Sequence, residues 1–471
     1  MTPAQRDAVR DAARYLRNVR PIDPAEVAEY VTGPPDAADV RVVLRDIAAE
    51  LAVVERADGT FVPVGDEPVA PLDGPVSALP PHFDQVIEGL LVDRFGDDWA
   101  RGTSGDELRT TVRGLKEDYF RDRRVAYGPV AALGYAVYHL ADYYAAGGYV
   151  LSTLADRGLL GRSLRVLDVG AGVGGPALGL FDLVGDDALV DYRALEPSPA
   201  AEVLAELLAE TGRNVHWAIE RTTAEAFEPD GPYDLVLFGN VLSELADPAG
   251  VVERYADAVA DDGSLVLLAP ADKRTATGLR AVERSVEAET GLGVYAPTLR
   301  LWPGARPAGR AWSFDVRSDL AVPETQRALD AAGGGTGEFV NVDVQFAYAV
   351  LRPDGRRRLE WTPDPRRYAK LADSEAHVTQ RLDVAAVKLS HDLSDGGHPL
   401  YLVGDGSERV DHFAVLTRET ELNAGLRTAA YGDGLSIERG LLLWNDDEGA
   451  YNLVVDEETL VDVVPAVEGV D

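Results

Sequence analysis

The residues of this chain best suited to chemistry are a run of glycines that follows an apolar strand. Residues 164–169 lead into a turn made of Gly170, Ala171, Gly172 and Gly174, after which a helix is expected. Glycine adopts positive φ and leaves room for a ligand where a Cβ would stand. The N-terminus of the next helix directs unpaired N–H groups and a positive dipole end toward the same place. The turn therefore predicts a cradle for a nucleotide-like cofactor.

Two carboxylates narrow the choice of cofactor. Asp168 stands at the end of the first strand, and Glu196 follows the second strand, where it can accept hydrogen bonds from two ribose hydroxyls. Asp168 departs from the dinucleotide pattern, whose turn must leave room for a pyrophosphate. The segment Val-Leu-Asp-Val-Gly-Ala-Gly-Val-Gly resembles motif I of class I S-adenosylmethionine-dependent methyltransferases. That resemblance implies S-adenosylmethionine in preference to NAD(P) or FAD, bound by Asp168, Gly170, Ala171, Gly172, Gly174, Glu196 and Asn240.

Candidates for catalysis follow a later strand, residues 233–238. In class I methyltransferases this strand end faces the methyl group, so the resemblance implies that Asn240 contacts the substrate or the cofactor's amino-acid part. Glu244 is the second candidate, although Ser243 and Glu244 also suit the start of a helix equally well. No general base stands out, so the catalytic residues stay undetermined.

The elements that must position these residues alternate in type. Short apolar strands separated by helices predict an α/β fold with a parallel sheet. The first 70 residues follow a helix–helix–helix–hairpin order that resembles a winged helix, and a small helical cap for packing or dimerisation fits them equally well. The predicted domains are a winged-helix-like region (1–70), a helical cap (82–160), a Rossmann-like methyltransferase core (161–352) and a small OB-like β-barrel (376–466).

Composition removes several classes of site. The 471 residues include no cysteine, so disulfides, thiolate metal sites and cysteine nucleophiles are excluded, and the seven histidines lack metal-ligand spacing. Asp and Glu number 80 against 45 Lys and Arg, a net charge of −35 spread along the whole chain. This pattern favours a halophilic protein, in which salt screens charge and acidity does not exclude RNA. Without a long apolar run, we expect a cytoplasmic protein with no membrane partner.

A closer resemblance is carried by the Leu-Ser-Glu-Leu element of residues 242–245, together with Ala296-Pro297, the segment 311–314 and the segment 346–352. These resemble the small-ribosomal-subunit methyltransferase-like assembly family, which includes mitochondrial methyltransferase-like protein seventeen and prokaryotic relatives. The resemblance covers roughly residues 82–352 and implies small-subunit rRNA and ribosomal proteins as partners. The family typically holds an iron–sulfur cluster on cysteines in this region, which this chain cannot do. Arginines near these segments are candidate RNA contacts: Arg300, Arg306, Arg310, Arg356, Arg357 and Arg358.

Three functions remain open. The first is an S-adenosylmethionine-dependent rRNA methyltransferase, and the second is a non-catalytic, cofactor-binding ribosome assembly factor with the same fold. The third, a small-molecule O-methyltransferase, is disfavoured because such enzymes rarely need a nucleic-acid-type barrel. Carbon-5 methylation of cytosine is excluded, since it requires a cysteine nucleophile. The target atom and the oligomeric state are left undetermined by the sequence.

Overall fold

The structure is a computed structural model that describes residues 1–120, 128–305, 312–318 and 320–466, without the side chains of residues 118–120. The chain divides into two compact units, Met1–Val236 with Asp319–Val342 and Leu237–Ser318 with Asp343–Asp471. The helices are α1 Pro3–Leu16, α2 Pro24–Glu29, α3 Ala37–Asp46, α4 Ala48–Leu51, α5 Pro81–Phe95, α6 Gly102–Phe120, α7 Pro129–Ala155, α8 Gly175–Val184, α9 Ala200–Ala209, α10 Pro248–Ala256, α11 Lys273–Glu289, α12 Glu324–Ala332 and α13 Gly425–Thr428. The strands are β1 Val53–Glu55, β2 Phe61–Pro63, β3 Ser163–Val169, β4 Leu189–Leu195, β5 Val215–Glu220, β6 Tyr233–Gly239, β7 Val259–Pro270, β8 Gly293–Ala296, β9 Asp315–Arg317, β10 Val344–Arg352, β11 Arg381–Lys388, β12 Leu400–Gly404, β13 His412–Leu416, β14 Gly434–Asn445, β15 Ala450–Val455 and β16 Leu460–Val464.

The first unit begins with helices α1 to α4 and the antiparallel pair β1–β2, the winged-helix-like order that the sequence predicts. Asp23 and Asp36 start α2 and α3, because their carboxylates accept the N–H groups of the second helical residues. The helical segment of residues 37–51 is interrupted at Ile47, which separates α3 from α4. Asn214 joins this region to the sheet, since its side chain exchanges hydrogen bonds of 2.7 and 3.1 Å with the backbone of Glu55.

The strands of the first unit form the predicted parallel arrangement. The order is β5-β4-β3-β6, with β4 parallel to both β3 and β5. Five of the seven residues in each of β3 and β4 are buried, as expected for parallel strands covered on both faces. The carboxyl ends of such strands are where ligands bind in open α/β sheets.

Helix α7 crosses α8 closely because glycines stand at the contact. A Cβ at Gly147 would lie 2.5 Å from the Cα of Pro176, and a Cβ at Gly179 would lie 2.4 Å from the carbonyl oxygen of Tyr144. Neither distance is possible between real atoms, so the two backbones approach only where side chains are missing. This crossing fixes the helix that follows the glycine turn.

The second unit contains the remaining strands. Across the sheet, the strand next to β6 is β7, and then come β10 and β8. Strand β10 is antiparallel to β7, β8 and β9. Residues 381–464 form a small barrel, in which the order β11-β12-β13-β15-β14 is closed by pairing of β14 with β11, and β16 pairs with β14. The barrel confirms the predicted C-terminal architecture. Within the described ranges, no helix has the length and hydropathy needed to cross a membrane.

Candidate cofactor site

The glycine turn is anchored to the neighbouring strand. The N–H groups of Gly170 and Ala171 both donate to the carbonyl oxygen of Leu195 at the end of β4, at 2.9 and 3.1 Å. Gly170, Gly172 and Gly174 have φ values of +69°, +56° and +86°. Residues with side chains rarely adopt this region, so the turn requires glycine at these positions. The chain thereby passes from β3 to α8 with its backbone exposed to an approaching ligand.

Two of these glycines have different surroundings. A Cβ at Gly174 would lie 2.5 Å from Cδ1 of Leu204 on α9, so this glycine allows the turn to pack against the protein. A Cβ at Gly172 would meet nothing within 4 Å. Gly172 therefore borders open space, as a residue in contact with a cofactor must.

Glu196 lies directly beside the turn. Its Oε2 accepts the N–H of Gly172 at 2.8 Å and its Oε1 accepts the N–H of Ser198 at 2.8 Å, while the residue is only 7% exposed. A carboxylate offers about four acceptor positions, so each oxygen retains one for a further donor. The arrangement fits two ribose hydroxyls, because both backbone bonds hold the carboxylate oriented toward the turn. This is the role that the sequence predicts for Glu196.

Asp168 is buried beneath the turn. The residue is 1% exposed, and the hydroxyl of Tyr192 on β4 donates to its Oδ2 at 2.8 Å. Burial, with a further contribution from the charge of Glu196, raises the pKa of Asp168 to about 7, although the hydrogen bond from Tyr192 opposes the shift. A cationic group placed near this carboxyl favours its ionised form. S-adenosylmethionine carries such groups on its sulfur and its amine.

Asn240 and Glu244 belong to the second unit. Asn240 follows β6 with a φ of +60°, and its N–H donates to the carbonyl oxygen of Leu268 at 3.0 Å. Positive φ in a residue other than glycine costs energy and concentrates at functional sites. Glu244 is exposed in a single 3₁₀ turn, Leu242–Glu244, and Asp247 caps the helix that follows. The catalytic roles of Asn240 and Glu244 stay predictions.

The arginine candidates have varied surroundings. Arg300 is ion-paired with Glu287 and its side chain is 15% exposed. Arg357 is half-buried and donates to the carbonyl oxygen of Arg300 at 2.7 Å, and the backbone N–H of Arg358 donates to Tyr295 at 2.9 Å. Arg356 is exposed with Asp354 at 3.7 Å. Arg306 and Arg310 lie outside the described residues, and RNA binding by all six arginines stays a prediction.

Sequence reasoning missed a polar cluster on α7. His139 and Asp142 lie one helical turn apart, and Asn341 reaches both of them from a distant part of the chain. The spacing of three residues between the histidine and the aspartate was the one available sequence signal, and it is common by chance. In the part of the chain that the structure describes, no group of His, Asp and Glu has a metal-binding arrangement, and the sequence contains no cysteine.

Comparison with known protein families identifies three segments. Residues 167–265 match a methyltransferase domain family, and residues 6–57 and 372–464 match the N-terminal and C-terminal domains of a family of unknown function, DUF8157. The comparison with curated proteins found no match. The methyltransferase match covers the end of β3, the glycine turn, Glu196 and most of β7.

Solved structures similar to the chain include several methyltransferases. The YcgJ protein of Bacillus subtilis is 26% identical over 23% of this chain and 45% of its own, with a TM-score of 0.20, so the chain spans less than half of that protein. The mitomycin 7-O-methyltransferase MmcR is 19% identical over 62% of this chain and 88% of its own, with a TM-score of 0.25. Aeropyrum pernix fibrillarin, solved with natively bound S-adenosyl-L-methionine, is 15% identical over 40% and 66% of the two chains, with a TM-score of 0.24. With TM-scores of 0.20–0.25, these similarities say nothing about the substrate of this protein.

The family match and the geometry agree on the central part of the chain. Residues 167–265 match a methyltransferase domain, the type of domain for which the sequence predicts S-adenosylmethionine as the cofactor. The turn and the carboxylates predicted to hold that cofactor lie within this segment and within one unit, where Gly172 and Glu196 are in direct contact.

Proposed function

We propose that this protein binds S-adenosylmethionine at the glycine turn and transfers its methyl group to the rRNA of the small ribosomal subunit. The observation that carries the cofactor assignment is the pairing of Gly172 with Glu196. Gly172 leaves open space beside the backbone of the turn. Next to that space, the carboxylate of Glu196 is held in place and offers two hydrogen-bond acceptors.

The chemistry of this reaction places modest demands on the protein. S-adenosylmethionine supplies a methyl group on a positively charged sulfur, which leaves as a neutral thioether. Glu196 would hold the ribose, and the glycine turn between β3 and α8 would bind the cofactor with its backbone N–H groups. Catalysis then rests mainly on placing the nucleophile in line with the methyl carbon, an entropic advantage that positioning alone provides.

The assignment of rRNA as the substrate rests on two features. The Leu-Ser-Glu-Leu element after β6 resembles the small-subunit assembly family, and the C-terminal barrel has an architecture that often binds single-stranded nucleic acid. Ribosomal proteins of the immature small subunit are the accompanying partners in this proposal. Cytoplasmic location and a salt-rich environment belong to the same hypothesis.

The cofactor site is tested by binding of S-adenosylmethionine to Gly172→Asp in isothermal titration calorimetry. An aspartate there fills the open space and sets a negative charge beside Glu196, so binding should be lost. Gly74→Asp is the matched control, because Gly74 also has a positive φ of +96° and nothing within 4 Å of an added Cβ. Unchanged binding by Gly172→Asp would refute the assigned site.

The reaction is tested by incubating the protein with methyl-tritiated S-adenosylmethionine and immature small subunits in concentrated KCl. Tritium in the rRNA, absent with Gly172→Asp and retained with Gly74→Asp, is the expected result. Cofactor binding and co-sedimentation without tritium transfer would identify a non-catalytic assembly factor. Transfer to a small molecule without co-sedimentation would refute the ribosomal substrate.

A further inference from the structure

An aromatic stack on α7 holds a histidine in a defined orientation. Tyr135, His139 and Tyr143 are spaced four residues apart and therefore share one face of the helix. The ring of His139 lies parallel to that of Tyr143, with centroids 5.0 Å apart and planes 7° apart, and it lies 4.9 Å from the ring of Tyr135. The side chain of His139 is 25% exposed. The imidazole is thus stacked on one face by Tyr143 and bordered by the tilted ring of Tyr135, and a quarter of the side chain is exposed to solvent.

A carboxylate and an amide determine which ring nitrogen carries the proton. The amide nitrogen of Asn341 donates to Oδ2 of Asp142 at 3.0 Å and to the carbonyl oxygen of Tyr138 at 3.1 Å. An amide has two hydrogens, and these two acceptors use both of them. His139 Nδ1, which lies 3.5 Å from Asp142 Oδ2 and 3.3 Å from the amide nitrogen, is therefore left to donate its own hydrogen to Asp142. That tautomer leaves the lone pair on Nε2.

The surroundings favour this arrangement. Asp142 is 8% exposed, and burial raises its pKa while the neighbouring imidazole lowers it. The backbone N–H of Asn341 donates to the side-chain oxygen of Gln326 on α12 at 2.8 Å, which anchors the main chain of Asn341. Among the described residues, the tyrosine rings of α7 lie around the imidazole, and Lys116 of α6 lies over the ring of Tyr138 at 3.9 Å.

The helix crossing places this histidine toward the glycine turn. Gly147 of α7 contacts Pro176, and Tyr143, one turn earlier, contacts Gly175, the first residue of α8. Moving back along α7 therefore moves the contact toward the N-terminus of α8. His139 shares a face of α7 with Tyr143 and lies one turn further back, so we expect it to lie beyond that terminus, on the side of the glycine turn. All of these residues belong to the first unit, which also contains Glu196.

We propose that His139 is the general base of the methyl transfer, with Asp142 and Asn341 as positioning residues, an inference that rests on the proposed function. A proton on the substrate's nucleophilic oxygen or nitrogen passes to Nε2 of His139. The electron pair of the nucleophile forms the bond to the methyl carbon, and the carbon–sulfur bond breaks with its electrons retained by sulfur. The imidazolium is stabilised by Asp142 and returns its proton to solvent.

The test compares tritium transfer to immature small subunits by the wild type and by His139→Gln. General-base catalysis contributes roughly 10²–10⁴-fold, so the rate should fall by that factor while cofactor affinity stays unchanged. His82→Gln is the matched control, because His82 is an exposed histidine of α5 in the same unit, and its rate should equal that of the wild type.

A second measurement does not depend on activity. Nitrogen-15 NMR of the imidazoles, with His139→Gln used for assignment, should show the Nδ1–H tautomer for His139, and Asp142→Asn should shift it toward the other form. An Nε2–H tautomer in the wild type, or full activity of His139→Gln, would overturn the assignment of the base while leaving the proposed function intact. A wild type that binds cofactor without transferring methyl would refute the reaction and the base together.

Discussion

The buried carboxyl beneath the glycine turn leads to a quantitative prediction about stability. Burial disfavours the charge of Asp168 and raises its pKa in the folded protein from an ordinary value of 3.8 to about 7. Asp168→Asn keeps a side-chain oxygen for the hydroxyl of Tyr192 but carries no titratable group. The two proteins should therefore differ in how their free energies of unfolding depend on pH.

The sign of the pH dependence of stability follows from the direction in which the pKa of Asp168 is shifted. A raised folded-state pKa means that the native protein binds the proton more tightly than the unfolded chain does. Its stabilising contribution is complete below the unfolded pKa and is lost as pH rises through the folded value. A pKa raised from 3.8 to about 7 corresponds to about 4 kcal/mol of stabilisation at low pH. Roughly 3 kcal/mol of this stabilisation is lost between pH 5 and pH 8.

The assay is urea unfolding of both proteins without cofactor, followed by circular dichroism at a fixed, high KCl concentration from pH 5 to pH 8. Other buried carboxyls titrate in both proteins, so the difference between the two curves isolates Asp168. The free energy of unfolding of Asp168→Asn relative to wild type should rise by roughly 3 kcal/mol over this range. Parallel curves would show that Asp168 is ionised throughout, and the reasoning from its burial would be wrong.

Two further predictions concern the turn and the N-terminal region. Gly174→Ala should lower the free energy of unfolding more than Gly172→Ala, measured in urea, because only the former forces a Cβ to within 2.5 Å of Leu204. Equal losses would contradict the assigned packing role. Asn214→Ala should cost about 2–4 kcal/mol, since it leaves buried backbone groups of Glu55 unpaired, and should expose residues 1–63 to proteolysis first. A proteolysis pattern like that of the wild type would contradict that link.

The sequence predicted the strand, glycine turn and helix correctly because these parts are local, and cofactor binding there stays a prediction. Strand, glycine turn and helix are adjacent along the chain, and positive φ at Gly170, Gly172 and Gly174 is a backbone requirement that residue type reveals directly. Glu196 could be placed because a parallel strand, with its helical connection, brings its end to the same edge of the sheet. The alternating pattern of the strands likewise predicted the α/β sheet.

Other features could not be predicted because they depend on residues distant along the chain. The sequence does not distinguish Gly172 from Gly174, since only the position of Leu204 on α9 shows which glycine packs and which borders open space. Arg300, chosen for its charge, is ion-paired with Glu287 of a neighbouring helix. The barrel closes through β11 and β14, a pairing that no local pattern encodes.

The sequence by itself thus determined the cradle, its likeness to a methyltransferase motif and the absence of cysteine chemistry. Only the tertiary structure decided which polar groups act together. Asn341 lies 199 residues from Asp142 and orients a histidine that appears in the sequence as one of seven without distinction. The physical reason is that backbone conformation is set largely by neighbours along the chain, whereas the protonation and orientation of a side chain are set by whatever folding packs against it.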